Sequence, residues 1–288
     1  MFKAFKSRVR AYLPEKYRTP PVVIPVVKLS GVIGQGSNFN QGLNIGTAAG
    51  PIEKAFGYED APAVAISINS PGGSPVQSNL IFKRIRQLAQ EKDKKVLVFV
   101  EDVAASGGYF IAVAGDEIIA DPSSIVGSVG VISAGFGLHK AIEKLGIDRR
   151  VYASGKSKST LDPFKPEKKE DIAHLKKLQE EIHETFIDVV KSRRADVLKE
   201  DDETLFNGLF WTGKTALSLG LIDELGDMRS TLKERYGEKT KLKLIGAKKG
   251  FSVRRLFGSS IDDNLARNIG DGIIGSVENR AHWARFGL

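Results

Sequence analysis

The sequence of 288 residues contains no cysteine and no long apolar segment. Without cysteine the chain can form no disulfide bond, no thiolate nucleophile and no metal site with thiolate ligands. No segment approaches the roughly 18 consecutive apolar residues that span a bilayer, and the N-terminus lacks the apolar region of a secretory signal peptide. We therefore expect a cytoplasmic or peripherally membrane-associated protein.

The chain has only four histidines, and their spacing fits no metal centre. His174 and His183 are nine residues apart in a charged segment and do not share a helical face. His282 lies near the C-terminus. His139, which follows an apolar stretch, is the one candidate for a Ser-His-Asp triad, and no G-x-S-x-G motif accompanies it. These observations favour a base other than histidine.

Basic residues are concentrated at the N-terminus. The net charge is +8, and the first 28 residues carry seven basic side chains against Glu15 alone, which gives +6. In residues 1–13 the large apolar side chains fall near one helical face, a pattern typical of an amphipathic helix on an anionic membrane surface. A frayed basic tail is the alternative. Nucleic-acid binding is not favoured, because no basic face with base-reading groups accompanies this charge.

The central part of the chain predicts two consecutive strand–turn–helix units. The first has a buried strand over 61–70, a turn in "PGGSP", and a helix with Ser74 as N-cap and Pro75 as its first residue. The second has a strand in "KKVLVFV" (94–100), followed by "DVAASGGYFIAVAG" (102–115), in which small residues precede a helical run. Strands that alternate with helices indicate an α/β fold.

The remaining segments give weaker signals. The polar and small residues of 37–50 predict a loop. "DEIIAD" (116–121) and "GSVGVIS" (127–133) predict short strands. A long charged helix is expected from Glu167 to about Leu198, and "FWTGKTALSLGLIDELG" (210–226) predicts a short strand, a helix and the start of another strand.

The stretch "AASGG" (104–108) crowds the smallest side chains around Ser106. Such crowding is needed where another group approaches the backbone closely, which makes Ser106 a candidate nucleophile. The glycine pairs 72–73 and 107–108 can each supply a backbone N–H to the oxyanion of a tetrahedral intermediate. Two ordinary strand–helix turns, in which glycine is common, are the alternative.

A lysine is the remaining candidate for the base. Its amine can accept a proton when burial lowers the pKa of the ammonium group. Lys156 and Lys158 lie in "YASGKSKSTLDPF" (152–164) among small and apolar residues, unlike the clustered lysines of the charged helix. The residues alone leave both lysines open.

Four segments, in order, carry a resemblance to a known family: "INSPGGS", "AASGGYFIA", "GSVGVI" and "SGKSKSTLDPF". Over residues 22–245 the chain resembles the signal peptide peptidase A (SppA/SohB) family of Ser/Lys peptidases. The resemblance implies a ClpP/crotonase-like α/β fold of repeated strand–strand–helix units, with a long helix and a C-terminal appendage. It implies Ser106 as nucleophile, Lys158 as general base, Ser128 as the residue that orients the lysine, and Gly73 and Gly107 as oxyanion-hole amides, with no metal or cofactor.

The residue pattern and the resemblance together predict the organisation and partners of the protein. A basic amphipathic tail (1–21) precedes the peptidase domain (22–245), and a C-terminal extension (246–288) follows, for which we expect an appendage or oligomer contact. The implied substrates are short unfolded apolar peptides such as remnant signal peptides. Because the chain carries one motif set, we expect a homo-oligomer whose active sites are shared between protomers. Family members commonly carry an N-terminal membrane anchor, and none is evident here.

Two other functions fit parts of this pattern. A crotonase-type acyl-CoA enzyme shares the fold and the two-amide oxyanion hole, but needs neither Ser106 nor Lys158. An inactive scaffold at the membrane surface would use the basic tail, but has no need of Ser106, Ser128 and Lys158 together.

Overall fold

The computed structural model describes residues 21–34, 42–246 and 282–287. The expectation of an amphipathic tail over residues 1–21 therefore lies, except for its last residue, outside the described residues. So does most of the C-terminal extension over 246–288.

Eight strands and eight helices are numbered here, and residues 282–284 are also helical. The strands are β1 (Val23–Ser30), β2 (Ala63–Ser70), β3 (Lys95–Ala105), β4 (Glu117–Ala120), β5 (Ile125–Gly127), β6 (Phe210–Thr212), β7 (Glu224–Leu225) and β8 (Lys241–Ile245). The helices are α1 (Ile45–Phe56), α2 (Pro75–Lys92), α3 (Gly107–Ala112), α4 (His139–Lys144), α5 (Lys169–Arg194), α6 (Asp202–Leu205), α7 (Gly213–Ser218) and α8 (Met228–Tyr236). The expected α/β class is confirmed.

All strands belong to one sheet of order β6-β5-β3-β2-β1-β8, with β4 paired to β3 and β7. The pairings are parallel except that of β5 with β6. The long strand β3 pairs with β4 through its first half and with β5 through residues 103–105. Because β1, β2 and β3 are parallel, the turns that follow them meet at one edge of the sheet, where α/β proteins commonly place their sites.

Alternate side chains of the strands enter two apolar layers on opposite faces of the sheet. The larger layer contains Ile66, Ile81, Phe110 and Phe186, so helices α2, α3 and α5 cover this face. The smaller layer is covered by α8 through the buried Leu232. The nucleophile candidate lies at the start of α3, and the larger core supports it from behind.

Two local predictions are wrong. Residues 37–50 do not form a loop throughout, because α1 begins at Ile45. Asn44 caps this helix, because its side chain accepts a hydrogen bond from the Thr47 N–H. The Thr47 hydroxyl in turn accepts a hydrogen bond from the Asn44 N–H. This capping box favours a helix in spite of the small and polar composition. The strand expected over 127–133 ends at Gly127, and an irregular segment follows it.

Other local predictions are confirmed. Helix α2 has Ser74 as N-cap and Pro75 in its first turn, and α5 fills most of the predicted charged helix. Within the described ranges, no helix combines the length and the apolar character needed to cross a membrane.

Candidate active site

Ser106 occupies a sharp turn between strand β3 and helix α3. Its backbone has φ 51° and ψ −123°, a left-handed conformation that costs a residue with a side chain free energy. Its neighbours two positions away are Ala104 and Gly108, and a Cβ on Gly108 would lie 2.4 Å from the Ser70 carbonyl oxygen. The turn thus resembles the strained strand-to-helix elbow that presents a nucleophile, although the usual glycine motif is absent.

The turn after β2 packs directly against the turn that carries Ser106. A Cβ placed on Gly72 would lie 2.8 Å from the Ser106 Cβ. Gly73 has φ 138°, and a Cβ there would lie 2.0 Å from the backbone oxygen of Ile33. The Ser74 N–H donates a hydrogen bond of 2.7 Å to the Ile33 carbonyl, which fixes this turn. Only glycine fits at position 73, both for its conformation and for its space.

Two backbone N–H groups are left free beside Ser106. Within the described residues, neither the Gly73 N–H nor the Gly107 N–H donates a hydrogen bond. A Cβ on Gly107 would lie 3.4 Å from the Gly73 nitrogen, so the two amides are close neighbours. Both residues line the same cavity as Ser106. Free, fixed donors beside a hydroxyl are the arrangement that stabilises an oxyanion.

Ser128 lies on a third turn, which is hydrogen-bonded to the turn that carries Ser106. The Ser106 N–H donates to the Gly127 carbonyl at 2.8 Å, and the Ser128 N–H donates to the Leu209 carbonyl at 2.7 Å. Ser128 has φ 55° and is 5% exposed. Together with Ser106 it lines a cavity of about 580 Å³. The structure therefore brings Ser106, Ser128 and Gly73 together at the edge of the sheet.

A smaller cavity of about 220 Å³ adjoins Ser106. Its wall is mainly apolar, with Val76, Phe110, Val131 and Phe186 among the lining residues. Asn79 also lines it, and its side-chain Oδ1 is buried without a hydrogen-bond partner in the described part of the chain.

Lys158 is not brought to this site. It lies in an extension over residues 131–168, here called the arm, in which no residue is buried. Lys158 and Lys156 are both exposed, and neither lines a cavity that contains Ser106. Six large apolar side chains of the arm are exposed: Ile132, Phe136, Leu138, Leu145, Ile147 and Tyr152.

Behind Ser106, Tyr109 anchors α3 to a distant loop. Its hydroxyl donates to the Leu221 carbonyl at 2.8 Å, and the side chain is fully buried. Burial raises the pKa of this phenol far above its ordinary value, and so it remains a neutral donor. The helix behind Ser106 is thereby held in place.

Sequence reasoning missed His183, which it assigned only to the charged helix. Its ring Nε2 lies 3.1 Å from the carbonyl oxygen of Val129, next to Ser128. His183 lines the larger cavity with Ser106. Helical spacing with Phe186 and Val190, both buried, was the available clue that this face of α5 points inward.

The described residues contain no cluster of histidine and acidic side chains suited to a metal ion.

Comparison with known proteins shows the family to which the chain belongs. Residues 88–242, more than half of the chain, match the model of peptidase family S49. The chain belongs to this family. Its fold is accordingly the α/β fold of the ClpP/crotonase-like type. Serine protease SPPA, chloroplastic, of Arabidopsis thaliana is 36% identical over 170 residues, which are 58% of this chain and 24% of that protein.

Two further relatives differ in how much of them is matched. The Synechocystis sp. protein slr0021, named as a protease, is 33% identical over 233 residues, which are 79% of this chain and 81% of its own length. A Brucella abortus protein named Na(+)/H(+) antiporter NhaA is 56% identical over 292 residues, which are 99% of this chain. The chain spans only 40% of that longer relative, to which the antiporter name belongs.

Proposed function

We propose that this S49 family member is a serine peptidase with a Ser/Lys dyad, and that residues 22–245 form its catalytic unit. The observation that carries the proposal is the strained turn of Ser106 beside the two free N–H groups of Gly73 and Gly107. An acyl-CoA enzyme of related fold needs two such amides but no strained serine between them.

The mechanism follows from these groups. The Ser106 hydroxyl attacks the peptide carbonyl carbon while Lys158, as a free amine, takes the hydroxyl proton. The N–H groups of Gly73 and Gly107 donate to the oxyanion that forms. The protonated Lys158 then gives its proton to the leaving amine, and a water molecule hydrolyses the acyl-enzyme. Ser128 orients the lysine amine.

Lys158 is supplied by a neighbouring protomer in this proposal. The support is that Lys158 is exposed on the arm and lines neither cavity at Ser106. The exposed apolar residues of the arm give a second copy of the chain a surface to bury. The homo-oligomer would then be the active form, with each site made from two chains.

The proposed substrates are unfolded peptides with small or medium apolar side chains. A side chain on the acyl side of the scissile bond would enter the apolar cavity of about 220 Å³ beside Ser106. Val76 and Phe186 provide apolar contact there, and the unpartnered Asn79 Oδ1 disfavours acidic side chains. Remnant signal peptides have this composition. A series of fluorogenic peptides should show higher kcat/KM for leucine or valine than for glutamate at this position.

Contact with an anionic membrane, through residues 1–21, is a further part of the proposal. Six of the seven basic residues in the first 28 positions lie in this tail, and each basic group near such a surface contributes about 1 kcal/mol. The full chain should sediment with anionic vesicles in a salt-sensitive manner. Equal sedimentation of a chain that starts at Pro20 would contradict this part.

The direct test is labelling by a fluorophosphonate, which reacts with activated serines. We expect the wild-type protein to be labelled and to hydrolyse peptides, and Ser106→Ala to do neither while it remains folded. Labelling that survives Ser106→Ala would assign the nucleophile elsewhere. Acyl-CoA turnover by a protein that lacks both Ser106 and Lys158 would favour the crotonase-type alternative.

A further inference from the structure

The turn of Ser128 is held by one hydrogen bond at each end. At one end the Gly127 carbonyl accepts the N–H of Ser106 at 2.8 Å. At the other end the Val129 carbonyl lies 3.1 Å from the His183 Nε2. Val129 is fully buried, and in the described part of the chain no other donor reaches its carbonyl. Loss of His183 would therefore leave a buried carbonyl without a partner, which is costly.

The chemistry of this contact fixes which ring nitrogen of His183 carries a proton. A carbonyl oxygen only accepts, so the His183 Nε2 must carry a proton.

The backbone between these two hydrogen bonds is strained. Gly127 and Ser128 both have positive φ, 112° and 55°. Such conformations persist only when the surrounding structure holds them. The segment then continues as Gly130 and Val131, which line both cavities at Ser106.

We propose that His183 is a positioning residue of the active site. Its Nε2–H holds the Val129 carbonyl and thereby fixes Ser128 relative to Ser106. Helix α5 is thus connected to the nucleophile turn through one side chain. The inference rests on the proposed peptidase function for its kinetic consequence, but its structural part is independent of that function.

Two substitutions of similar polarity separate position from chemistry. In His183→Gln the amide nitrogen stands where Nε2 stood and can still reach the Val129 carbonyl. In His183→Asn the amide is one carbon shorter and cannot. We expect kcat to fall about tenfold in His183→Asn, as for the loss of one hydrogen bond to a positioned group, with KM changed less than about twofold. His183→Gln should retain most of kcat.

His174 offers a matched control, because it lies exposed on the same helix. His174→Asn should leave kcat, KM and Tm unchanged. A purely structural role for His183 would lower the Tm of His183→Asn and leave its kcat per folded molecule unchanged, which would overturn the proposal. Equal kcat in the Gln and Asn variants would overturn it as well.

Hydrogen exchange tests the structural part without any catalytic assay. The backbone amides of residues 127–131 should exchange faster in His183→Asn than in the wild type and at the wild-type rate in His183→Gln. Unchanged exchange in His183→Asn would refute the positioning role even if the protein proves to hydrolyse no peptide. If exchange responds as expected while the wild type is inactive on peptides, the proposed function fails and the positioning role stands.

Discussion

The turns around Ser106 and the arm of residues 131–168 differ in almost every physical respect. Around Ser106 the backbone is strained, and a large core lies behind it. A Cβ added to any of the glycines 72, 73, 107 and 108 would lie 2.0–2.8 Å from its nearest neighbouring atom. In the arm no residue is buried, and large apolar side chains face outward. In the proposed mechanism, a single chain therefore supplies the packed site around Ser106, whereas Lys158 acquires packed surroundings only in a second chain.

The largest expected effect separates the two lysines of the arm. Lys158→Ala should lower kcat/KM by about a thousandfold or more, since loss of either member of a nucleophile–base pair has effects of that size. Lys156→Ala should retain most activity. Peptide hydrolysis by the two variants, matched for folding and assembly, makes the measurement. An inactive Lys156→Ala with an active Lys158→Ala would assign the base to Lys156.

The next effect compares one glycine from each region. Gly73→Ala adds a Cβ 2.0 Å from the Ile33 oxygen in a left-handed conformation, whereas Gly155→Ala has φ 99° with nothing within 4 Å. We expect Gly73→Ala to lose about 4 kcal/mol or more of unfolding free energy. Gly155→Ala carries only backbone strain, of about 1–3 kcal/mol at most. Urea unfolding measures both, and equal losses would contradict the stated difference in packing.

A smaller effect concerns the exposed apolar residues of the arm. Phe136 is 85% exposed and Tyr152 is 92% exposed. Replacing both by serine should change the unfolding free energy by less than about 0.5 kcal/mol, because they contact little in one chain. Assembly should weaken, and activity should fall with it. Sedimentation velocity gives the oligomer size, and an unchanged oligomer would show that these side chains lie outside the interface.

The smallest effect is a pH dependence in the sheet. Burial raises the pKa of Glu101, but hydrogen bonds from Ser67 and Lys28 outweigh burial and hold the pKa below its ordinary value. A depressed folded pKa contributes stability above the unfolded pKa of about 4.3, which is lost as the pH falls through the folded value. The Glu101 side chain is 37% exposed, so solvent screening limits this contribution to about 1 kcal/mol.

Glu101→Gln should therefore be less stable than the wild type at pH 7, with a difference that shrinks below pH of about 4. In the arm, Asp148→Asn serves as the control, because the ion pair of Asp148 with Arg150 is 84% and 72% exposed and contributes almost nothing. Thermal unfolding from pH 3 to pH 7 measures both variants. A Glu101→Gln difference that grows on acidification would reverse the expected sign.

The sequence predicted the sheet edge better than the arm. Strands β2 and β3 and the cap at Ser74 carry strong local signals, and crowded small residues mark Ser106. Helix α1 was missed because its capping by Asn44 and Thr47 is encoded in two residues within a loop-like composition. His183 was missed because its spacing with Phe186 and Val190 shows only that this face of the helix points inward, and not that it contacts Val129, 54 positions away. The exposure of Lys158 depends on tertiary placement, which no spacing reveals.

A site made from two chains is the central claim, and subunit mixing tests it most directly. Ser106→Ala and Lys158→Ala proteins, each inactive, are dissociated, mixed in equal amounts and reassembled, and mixed oligomers are confirmed by mass. If each site takes its serine and lysine from neighbouring protomers, about a quarter of the sites in a random ring pair two intact residues. Peptide hydrolysis should then return to about that fraction of the wild-type rate. Mixed oligomers that remain inactive would show that the serine and the lysine come from one chain, and would contradict the account.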